Sequence, residues 1–105
     1  MILTTTNEIP GKKIKKILGI VRGSTVRSKH IGKDIMAGLK TIVGGEVKSY
    51  TEMLVEAREE ALNRLIEHAK ALGADAVVGV RFSSSQIMQG MSEMLVYGTA
   101  VKLSK

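Results

Sequence analysis

Hydrophobic residues occupy both sides of an alternating pattern in the first third of this chain, and Lys16, Leu18, Ile20 and Arg22 form one of these sides. Between residues 15 and 26, the other side of the alternation holds four residues: Ile17, Gly19, Val21 and Gly23. A period of two residues is typical of a β-strand. Because glycine lacks a side chain, we expect a smooth strand surface at this side, against which a helix or another backbone lies closely.

Three further segments have the pattern of strands. Residues 2–5 contain Ile, Leu and Thr and are followed by a turn signal at Ile9-Pro10-Gly11. Residues 75–82 are rich in β-branched side chains, and residues 94–103 alternate again. Residues 83–90 are polar, so we expect the last two strands to form a hairpin with a long or flexible tip.

The hydrophobic period changes to that of a helix in the middle of the chain. Isoleucine and leucine recur at intervals of four, four and three residues over residues 31–43, which predicts a first helix that ends at Gly44-Gly45. Ser49 and Glu52 have the spacing of a capping box. We therefore expect a second helix from about Tyr50 to a stop at Gly73.

The resulting order of elements is β, β, α, α, β, β. Strands that follow one another closely usually pair, so this order predicts an antiparallel sheet. Two helices packed on one face of that sheet would give a two-layer α+β fold.

Composition limits the size and nature of the core. The chain has 105 residues, 44% of them hydrophobic and 25% charged, which indicates one folded domain and excludes disorder as its default state. One Phe, two Tyr and no Trp leave an aliphatic core. Apolar residues lie on both sides of the strands, so we expect a homo-oligomer in which subunit contacts bury the remainder.

Positive charge is concentrated in the first half of the sequence. Residues 1–48 carry ten Lys and Arg against three Asp and Glu, within a net charge of +6. One interpretation is an attraction to nucleic acid or an acidic ligand. The preferred one is a solvated lysine edge that opposes strand aggregation. Because no aromatic residue lies among these lysines to stack on bases, we expect no nucleic-acid partner.

Missing residue types exclude several classes of chemistry. The absence of cysteine excludes disulfides, thiolate zinc sites, iron–sulfur clusters and cysteine nucleophiles. The first residues lack the pattern of a signal peptide, and no apolar run approaches the ~20 residues of a membrane span. We therefore expect a cytoplasmic protein with no membrane contact and no cofactor.

Metal ligands are few. The two histidines, His30 and His68, have no partner at the spacing of a metal site. We prefer a role in packing and solvation for both, with a site shared between subunits as the alternative. Met88, Met91 and Met94 fall three residues apart and would suit either adaptable packing or Cu(I). Packing is again the preferred interpretation.

Polar residues that could converge between helix and sheet include Glu46, Arg58, Arg81 and Tyr97. We expect Arg58 and Arg81 to be partly buried, Arg81 on the same face as Val77. A buried arginine needs a carboxylate, which we expect to be Glu46 or Glu56, and Glu46 after the double glycine is the best-placed candidate outside the second helix. Catalysis is the weaker alternative, because the sequence contains neither a Ser-His-Asp arrangement nor a phosphate loop. We assign no catalytic residue.

Five segments in fixed order resemble the YbjQ-like family over nearly the whole chain. They are Val43-Gly44-Gly45-Glu46; Tyr50-Thr51; Ala57-Arg58 with Ala61 and Arg64; Gly73 to Phe82; and Tyr97 to Val101. The resemblance implies a dodecin-subunit-like fold and a homopentameric ring, in a family of unknown function that carries a heavy-metal-binding label. Many members have Asp where this chain has Ser83. That difference and the lack of cysteine argue against a metal site here.

Two functional hypotheses follow. The first is a noncatalytic homo-oligomeric ring that binds a small anionic ligand at its subunit interfaces. The second is a metal-binding protein or an enzyme with its site at the subunit junction. Seven residues are candidates for ligand binding or for the interface: Glu46, Tyr50, Arg58, Arg81, Ser83, Tyr97 and Thr99.

Overall fold

A computed structural model describes residues 1–28 and 45–104, and the descriptions below refer to these residues. They form four strands and one helix: β1 (Ile2–Leu3), β2 (Lys13–Ser28), α1 (Gly45–Ala71), β3 (Ala76–Met88) and β4 (Met91–Ser104). The strands make one sheet in the order β1-β3-β4-β2. β1 is parallel to β3, whereas β4 is antiparallel to both β3 and β2.

This arrangement corrects the predicted fold class. We expected an antiparallel, dodecin-subunit-like sheet with two helices and the order ββααββ, but the described residues contain one helix and a mixed sheet. The first predicted helix, residues 31–43, lies outside the described residues.

The segment between β1 and β2 explains why these two strands do not form a hairpin. Ile9 packs against Ala76, Val78 and Val101, a cluster on the sheet itself. The connection therefore crosses the sheet instead of turning back at Pro10-Gly11, and β1 and β2 lie at opposite edges. Burial of one isoleucine favours this route over the local turn signal.

The hairpin of β3 and β4 is longer than its sequence predicts. Residues 83–88 belong to β3 and pair with β4 as far as Met88 and Met91. Only Gln89 and Gly90 lie between the strands, and Gly90 has a φ of 80°, which suits a tight turn. The expected long tip was wrong, because exposed polar residues are tolerated in a strand whose backbone groups pair.

Helix α1 begins five residues earlier than predicted. It starts at Gly45, so Glu46 and Ser49 are helical residues and not a turn and an N-cap. The buried side of the helix consists of small residues and one leucine at intervals of four: Ala57, Ala61, Leu65 and Ala69. These residues pack on a cluster that includes Val21 and Val96 of the sheet.

The small residues of α1 allow a very close approach to β2 at Gly23. A Cβ atom built on Gly23 would lie 2.0 Å from the carbonyl oxygen of Ala61 and 2.5 Å from the nitrogen of Leu65. The predicted glycine contact is confirmed at this position. It is wrong at Gly19, where a Cβ atom would meet nothing within 4 Å.

Two irregularities change which side chains face the helix. The pairing register shifts between Ile17 and Gly19 in β2 and between Val78 and Arg81 in β3. Gly19 and Gly79 have φ angles of 131° and 62°, which favour glycine. Such bulges reverse the alternation of side chains beyond them. The set of side chains on each face of the sheet therefore differs from the set that simple alternation predicts.

We call the side covered by α1 the helix face and the opposite side the outer face. The helix face includes Val21, Val80 and Val96, which belong to the main buried cluster. The outer face is covered in part by Ile9. Away from Ile9 it carries Ile17 and Ile20, which are 67% and 75% exposed.

Candidate functional site

The outer face carries a row of three side chains on three adjacent strands. Tyr97 of β4 pairs with Arg22 of β2 on one side and with Arg81 of β3 on the other. Residues directly opposite each other in a sheet project from the same face. Two arginines therefore flank one tyrosine, and all three side chains are exposed. We call this set the arginine–tyrosine row.

Arg81 is held in place by backbone carbonyl groups. Its Nη1 donates hydrogen bonds to the oxygen of Thr5 at 2.8 Å and to that of Val80 at 2.9 Å. The ion pairs of the described side chains do not include Arg81, and the side chain of Glu46, which we expected to pair with it, lies outside what the structure describes. Hydrogen bonds from Nη1 fix the plane of the guanidinium group and leave its Nη2 and Nε donors available.

The position of Arg81 departs from the prediction because of the bulge at Gly79. Val77 lies in the cluster against α1, and simple alternation would place Arg81 beside it. The register shift between Val78 and Arg81 moves Arg81 to the outer face, where it is exposed instead of partly buried.

Two other candidates lie next to the row. Ser83 follows Arg81 by two residues in β3, and Thr99 follows Tyr97 by two residues in β4. In a strand, residues two apart share a face, so both belong to the outer face. Thr99 pairs with Ile20 of β2, which is 75% exposed.

The remaining candidates belong to α1. Arg58 is exposed, contrary to the expectation of partial burial, because the buried positions are Ala57 and Ala61. Since α1 packs on the helix face, the structure does not bring Arg58 to the arginine–tyrosine row. Glu46 and Tyr50 lie in the first two turns of the same helix.

Sequence reasoning missed Arg22 as a site residue. It lies among other cations in the first half of the chain, and no local motif distinguishes it. Its importance depends on the pairing of β2 with β4, which connects residues 75 positions apart. Only the register of the sheet shows that Arg22 and Arg81 flank the same tyrosine.

His68 has a structural contact at the edge of the sheet. Its Nδ1 accepts a hydrogen bond from the backbone N–H of Arg22 at 3.2 Å. In a neutral imidazole the other nitrogen, Nε2, then carries the proton. His68 thus covers a donor on the edge strand β2 and does not offer Nδ1 to a ligand.

A second edge contact is made by an ion-pair network. Glu60 pairs with Arg27 and, at 2.6 Å, with Arg64, which also donates to the carbonyl oxygen of Ser24 at 2.6 Å. The hydrogen bond from Arg27, together with the charge of Arg64, lowers the pKa of Glu60 below its usual value. These contacts connect α1 to the edge strand β2. The charged groups of Glu60, Arg27 and Arg64 are therefore not available to a ligand.

Asp75 joins the start of β3 to the end of β4. Its Oδ2 accepts a hydrogen bond from the backbone N–H of Leu103 at 2.9 Å, and its Oδ1 lies 3.7 Å from Nζ of Lys102. The bond from Leu103 and the charge of Lys102 lower the pKa of the Asp75 carboxyl group. This carboxylate extends the strand pairing beyond the backbone of β3.

A heavy-metal site does not fit the described residues. No group of three or more His, Asp or Glu side chains converges within residues 1–28 and 45–104, and the sequence has no cysteine. Soft metals require sulfur or imidazole ligands that converge. Met91 and Met94 lie three residues apart in β4 and therefore on opposite faces, so the methionine trio does not converge either. His30 lies outside the described residues.

A cleft of about 660 Å³ lies beside the connection between β1 and β2. Residues 8–14 and Thr6 line it, with Glu8 opposing the charges of Lys12 and Lys13. No aromatic side chain and no residue of the arginine–tyrosine row belongs to this lining. We therefore place the candidate site at the row and not in the cleft. Within the described part of the chain, no helix is long and apolar enough to cross a membrane.

Comparison with known proteins supports the sequence resemblance. A family model described as "Putative heavy-metal-binding" matches residues 1–104. A UPF0145 protein of Thermosipho melanesiensis is 65% identical over 103 residues, which cover 98% of this chain and 95% of that protein. A UPF0145 protein of Archaeoglobus fulgidus is 63% identical over 103 residues, with the same coverage of the two chains.

One solved structure shows the same fold. It is the crystal structure of a protein of unknown function from Pediococcus pentosaceus, with a TM-score of 0.66 over 99% of this chain and 98% of that one. At 18% identity, this likeness concerns the fold alone. The two UPF0145 relatives and the match over residues 1–104 show that the chain belongs to the YbjQ-like family of uncharacterised proteins, also named UPF0145.

Proposed function

We propose that this protein is a noncatalytic homo-oligomeric module that binds a small anionic ligand where its subunits meet. The observation that carries the proposal is the outer face of the sheet, where two largely exposed isoleucines lie beside the arginine–tyrosine row. A contiguous apolar patch on a small protein usually marks an interaction surface. Five subunits are what the family resemblance implies, and the cytoplasm is the location expected from the sequence.

Open strand edges support self-association. Among the described residues, β1 pairs with β3 only at Ala76 and Val77, and loop residues continue this contact to Val80. Residues 81–88 of β3 have no strand partner on that side in the described part of the chain. Unpaired strand edges are templates for pairing with a second chain.

The opposite edge of the sheet is covered over only half its length. His68 and Arg64 bind backbone groups of Arg22 and Ser24, but residues 14–20 of β2 have no such contact within the described residues. An edge of β2 that pairs with an edge of β3 in the next copy would be a head-to-tail contact, which closes into a ring if its rotation permits.

Charge supports an anion as the ligand. The arginine–tyrosine row reaches from β2 to β3, so a neighbouring copy at either edge would lie next to one of its arginines. The chain carries a net charge of +6, and no ion pair among the described residues includes Arg22 or Arg81. Among the described residues, no group of metal-ligating side chains favours the alternative of a metal site.

Light scattering coupled to size exclusion tests the assembly. At micromolar concentration we expect a mass that is a multiple of 11.3 kDa, five times that value if the resemblance holds. Replacing both Ile17 and Ile20 by serine should shift the mass towards the monomer, because the apolar contact is lost. Val55→Ser, an exposed apolar position on α1, is the matched control. A stable monomer of the parent protein would overturn the proposal.

A further inference from the structure

We propose that residues 14–20 of β2 in one copy of this chain pair, in parallel, with residues 81–88 of β3 in the next copy. This inference rests on the proposed function, since it names the partner surfaces of the homo-oligomer. It goes further, because it assigns the contact to stated residues and a stated direction. It also excludes a two-fold contact in which either strand edge pairs with itself.

The two stretches lie at opposite ends of the sheet. Residues 14–20 of β2 pair with residues 99–103 of β4, whereas residues 81–88 of β3 pair with residues 91–97 of the same strand. Beyond the stretches, α1 contacts the free edge of β2, and β1 with the residues after it contacts that of β3. One head-to-tail contact therefore uses both open stretches and shifts each copy along the strand direction relative to the next.

The direction of pairing follows from the order of the strands. β2 and β3 are both antiparallel to β4, so they run parallel to each other within one copy. Copies that continue one sheet in a head-to-tail contact keep this direction, so the two stretches meet in parallel. β1 already pairs in parallel with the first residues of β3. The β2 strand of the next copy would continue that pairing along the same edge.

The distribution of charge favours contact between unlike edges. The β2 stretch contains Lys15 and Lys16, so two such edges would repel each other. In the β3 stretch, Arg81 is the one charged residue, and the carbonyl oxygens of Thr5 and Val80 hold its guanidinium group on the β1 side. The remaining residues include neither lysine nor proline, which commonly protect a strand edge against pairing. The edge of β3 is thus the one that accepts a strand.

Both stretches carry exposed apolar side chains that a partner strand would cover. Ile17 and Ile20 of β2 are exposed on the outer face. Phe82, Ile87 and Met88 of β3 are exposed as well. Pairing of the two edges would bring these side chains next to a second sheet and remove part of their surface from water, which favours association.

Cysteine cross-linking tests the contact, because the chain contains no cysteine of its own. Ile17 of β2 and Ser83 and Ser85 of β3 share the outer face. The variants are Ile17→Cys/Ser83→Cys and Ile17→Cys/Ser85→Cys, treated with a short bismaleimide reagent that tolerates a shift of one residue in register. We expect covalent oligomers on a denaturing gel from at least one of the two.

The single-cysteine variants and a position on α1 are the controls. Ile17→Cys and Ser85→Cys, each alone, should not cross-link. Covalent dimers of either single variant would show that one edge pairs with itself, and would overturn the proposal. Asn63 is an exposed residue of α1. Cross-linking of Asn63→Cys/Ser85→Cys as efficient as that of the Ile17 double variants would indicate random collision and overturn it too.

Two charge variants at Ser84 test the same contact without a reagent. Ser84 is exposed in the β3 stretch and lies on the helix face, as Lys16 does in β2. Ser84→Lys would meet the lysines of the next copy, so the dissociation constant of the oligomer should rise about tenfold or more. Ser84→Glu should leave it within about threefold or lower it. Equal effects of both variants, or no effect of either, would overturn the proposal.

Light scattering of the parent and of the variants separates this inference from the proposed function. A monomeric parent would refute the assembly, and this contact with it. Double-cysteine variants that remain oligomeric but do not cross-link would refute the contact and retain the assembly. If Ile17→Cys itself dissociated the oligomer, the comparison of Ser84→Lys with Ser84→Glu, which leaves β2 unchanged, would decide. Circular dichroism checks that both Ser84 variants are folded.

Discussion

On the helix face of the sheet, β2 lies so close to α1 that a single added carbon at Gly23 would overlap the backbone of Ala61. On the outer face, three residues earlier in the same strand, Ile20 is 75% exposed. On the helix face, small residues of α1 and β2 are thus packed against each other and buried. The outer face presents isoleucines and arginines to the surroundings.

The difference between the faces separates stability from binding. The helix face buries the side chains that supply most of the hydrophobic free energy, such as Leu65 and Val96. The outer face, away from Ile9, contributes little buried surface within one subunit. Substitutions should therefore change the free energy of unfolding on the helix face, and assembly or ligand affinity on the outer face.

The largest expected effect is that of Gly23→Val. The new side chain would overlap the carbonyl oxygen of Ala61 and the nitrogen of Leu65, both of which are backbone atoms that cannot rotate away. We expect a loss of about 3 kcal/mol or more in the free energy of unfolding, or failure to fold. Chemical denaturation followed by circular dichroism measures it.

Ile20→Val is the control on the outer face. It places the same side chain in the same strand, and we expect a change of at most about 0.5 kcal/mol in one subunit. If Gly23→Val were as stable as Ile20→Val, the close contact between β2 and α1 would be wrong. A large loss in Ile20→Val would instead show that assembly buries the outer face.

A smaller effect is expected at Gly79, whose bulge places Arg81 on the outer face. Gly79 has a φ of 62°, a conformation that β-branched residues adopt with strain. We expect Gly79→Val to cost about 2 kcal/mol in thermal or chemical unfolding. Gly79→Asn should cost less, because asparagine tolerates this conformation. Equal losses in both variants would show that backbone strain does not limit the position, since Oδ1 of Asn7, 3.5 Å from the added carbon, lies at an ordinary contact distance.

This bulge also shows what the sequence could predict. The strands at residues 15–26, 75–82 and 94–103 follow from their composition and alternation, and the structure contains strands at all three places. The face of Arg81 did not follow from alternation, because one glycine reverses it. Glycine in a strand suggests a bulge, but whether one forms depends on the partner strand.

The candidate site depends on still longer-range pairing. Arg81, Ser83, Tyr97 and Thr99 were predicted from local patterns and the family resemblance, and the structure brings these four to one face. Arg22 was missed because its pairing with Tyr97 connects distant parts of the chain. The parallel pairing of β1 was missed for a similar reason, since burial of Ile9 decides the path of the chain.

Thr25→Val tests the buried polar contact of the helix face. Thr25 is 2% exposed, and its hydroxyl donates a hydrogen bond to the carbonyl oxygen of Ala57 at 3.0 Å. Valine has nearly the same shape without the donor, so we expect a loss of about 1 kcal/mol in the free energy of unfolding. Thr99→Val, on the outer face, is the control and should change it by less than about 0.5 kcal/mol. The reverse order would show that the faces were assigned wrongly.

The smallest effect is expected at Asp75, which belongs to neither face and joins the ends of β3 and β4. The bond from the Leu103 N–H and the nearby charge of Lys102 lower the pKa of this carboxyl group in the folded protein below its ordinary value of 3.8. A group with a lowered folded pKa stabilises the fold above its unfolded pKa, and this contribution is lost as the pH falls through the folded pKa.

The melting temperature of Asp75→Asn should therefore lie below that of the parent at neutral pH. The difference should shrink between about pH 5 and pH 2, because the parent then loses its own negative charge. Differential scanning calorimetry across this range measures the effect. Glu67→Gln is the control: Glu67 lies 3.9 Å from Lys70 but is 75% exposed, so its removal should change the melting temperature little. If the difference between Asp75→Asn and the parent stays constant down to pH 2, the ionised carboxylate does not stabilise the junction of β3 and β4.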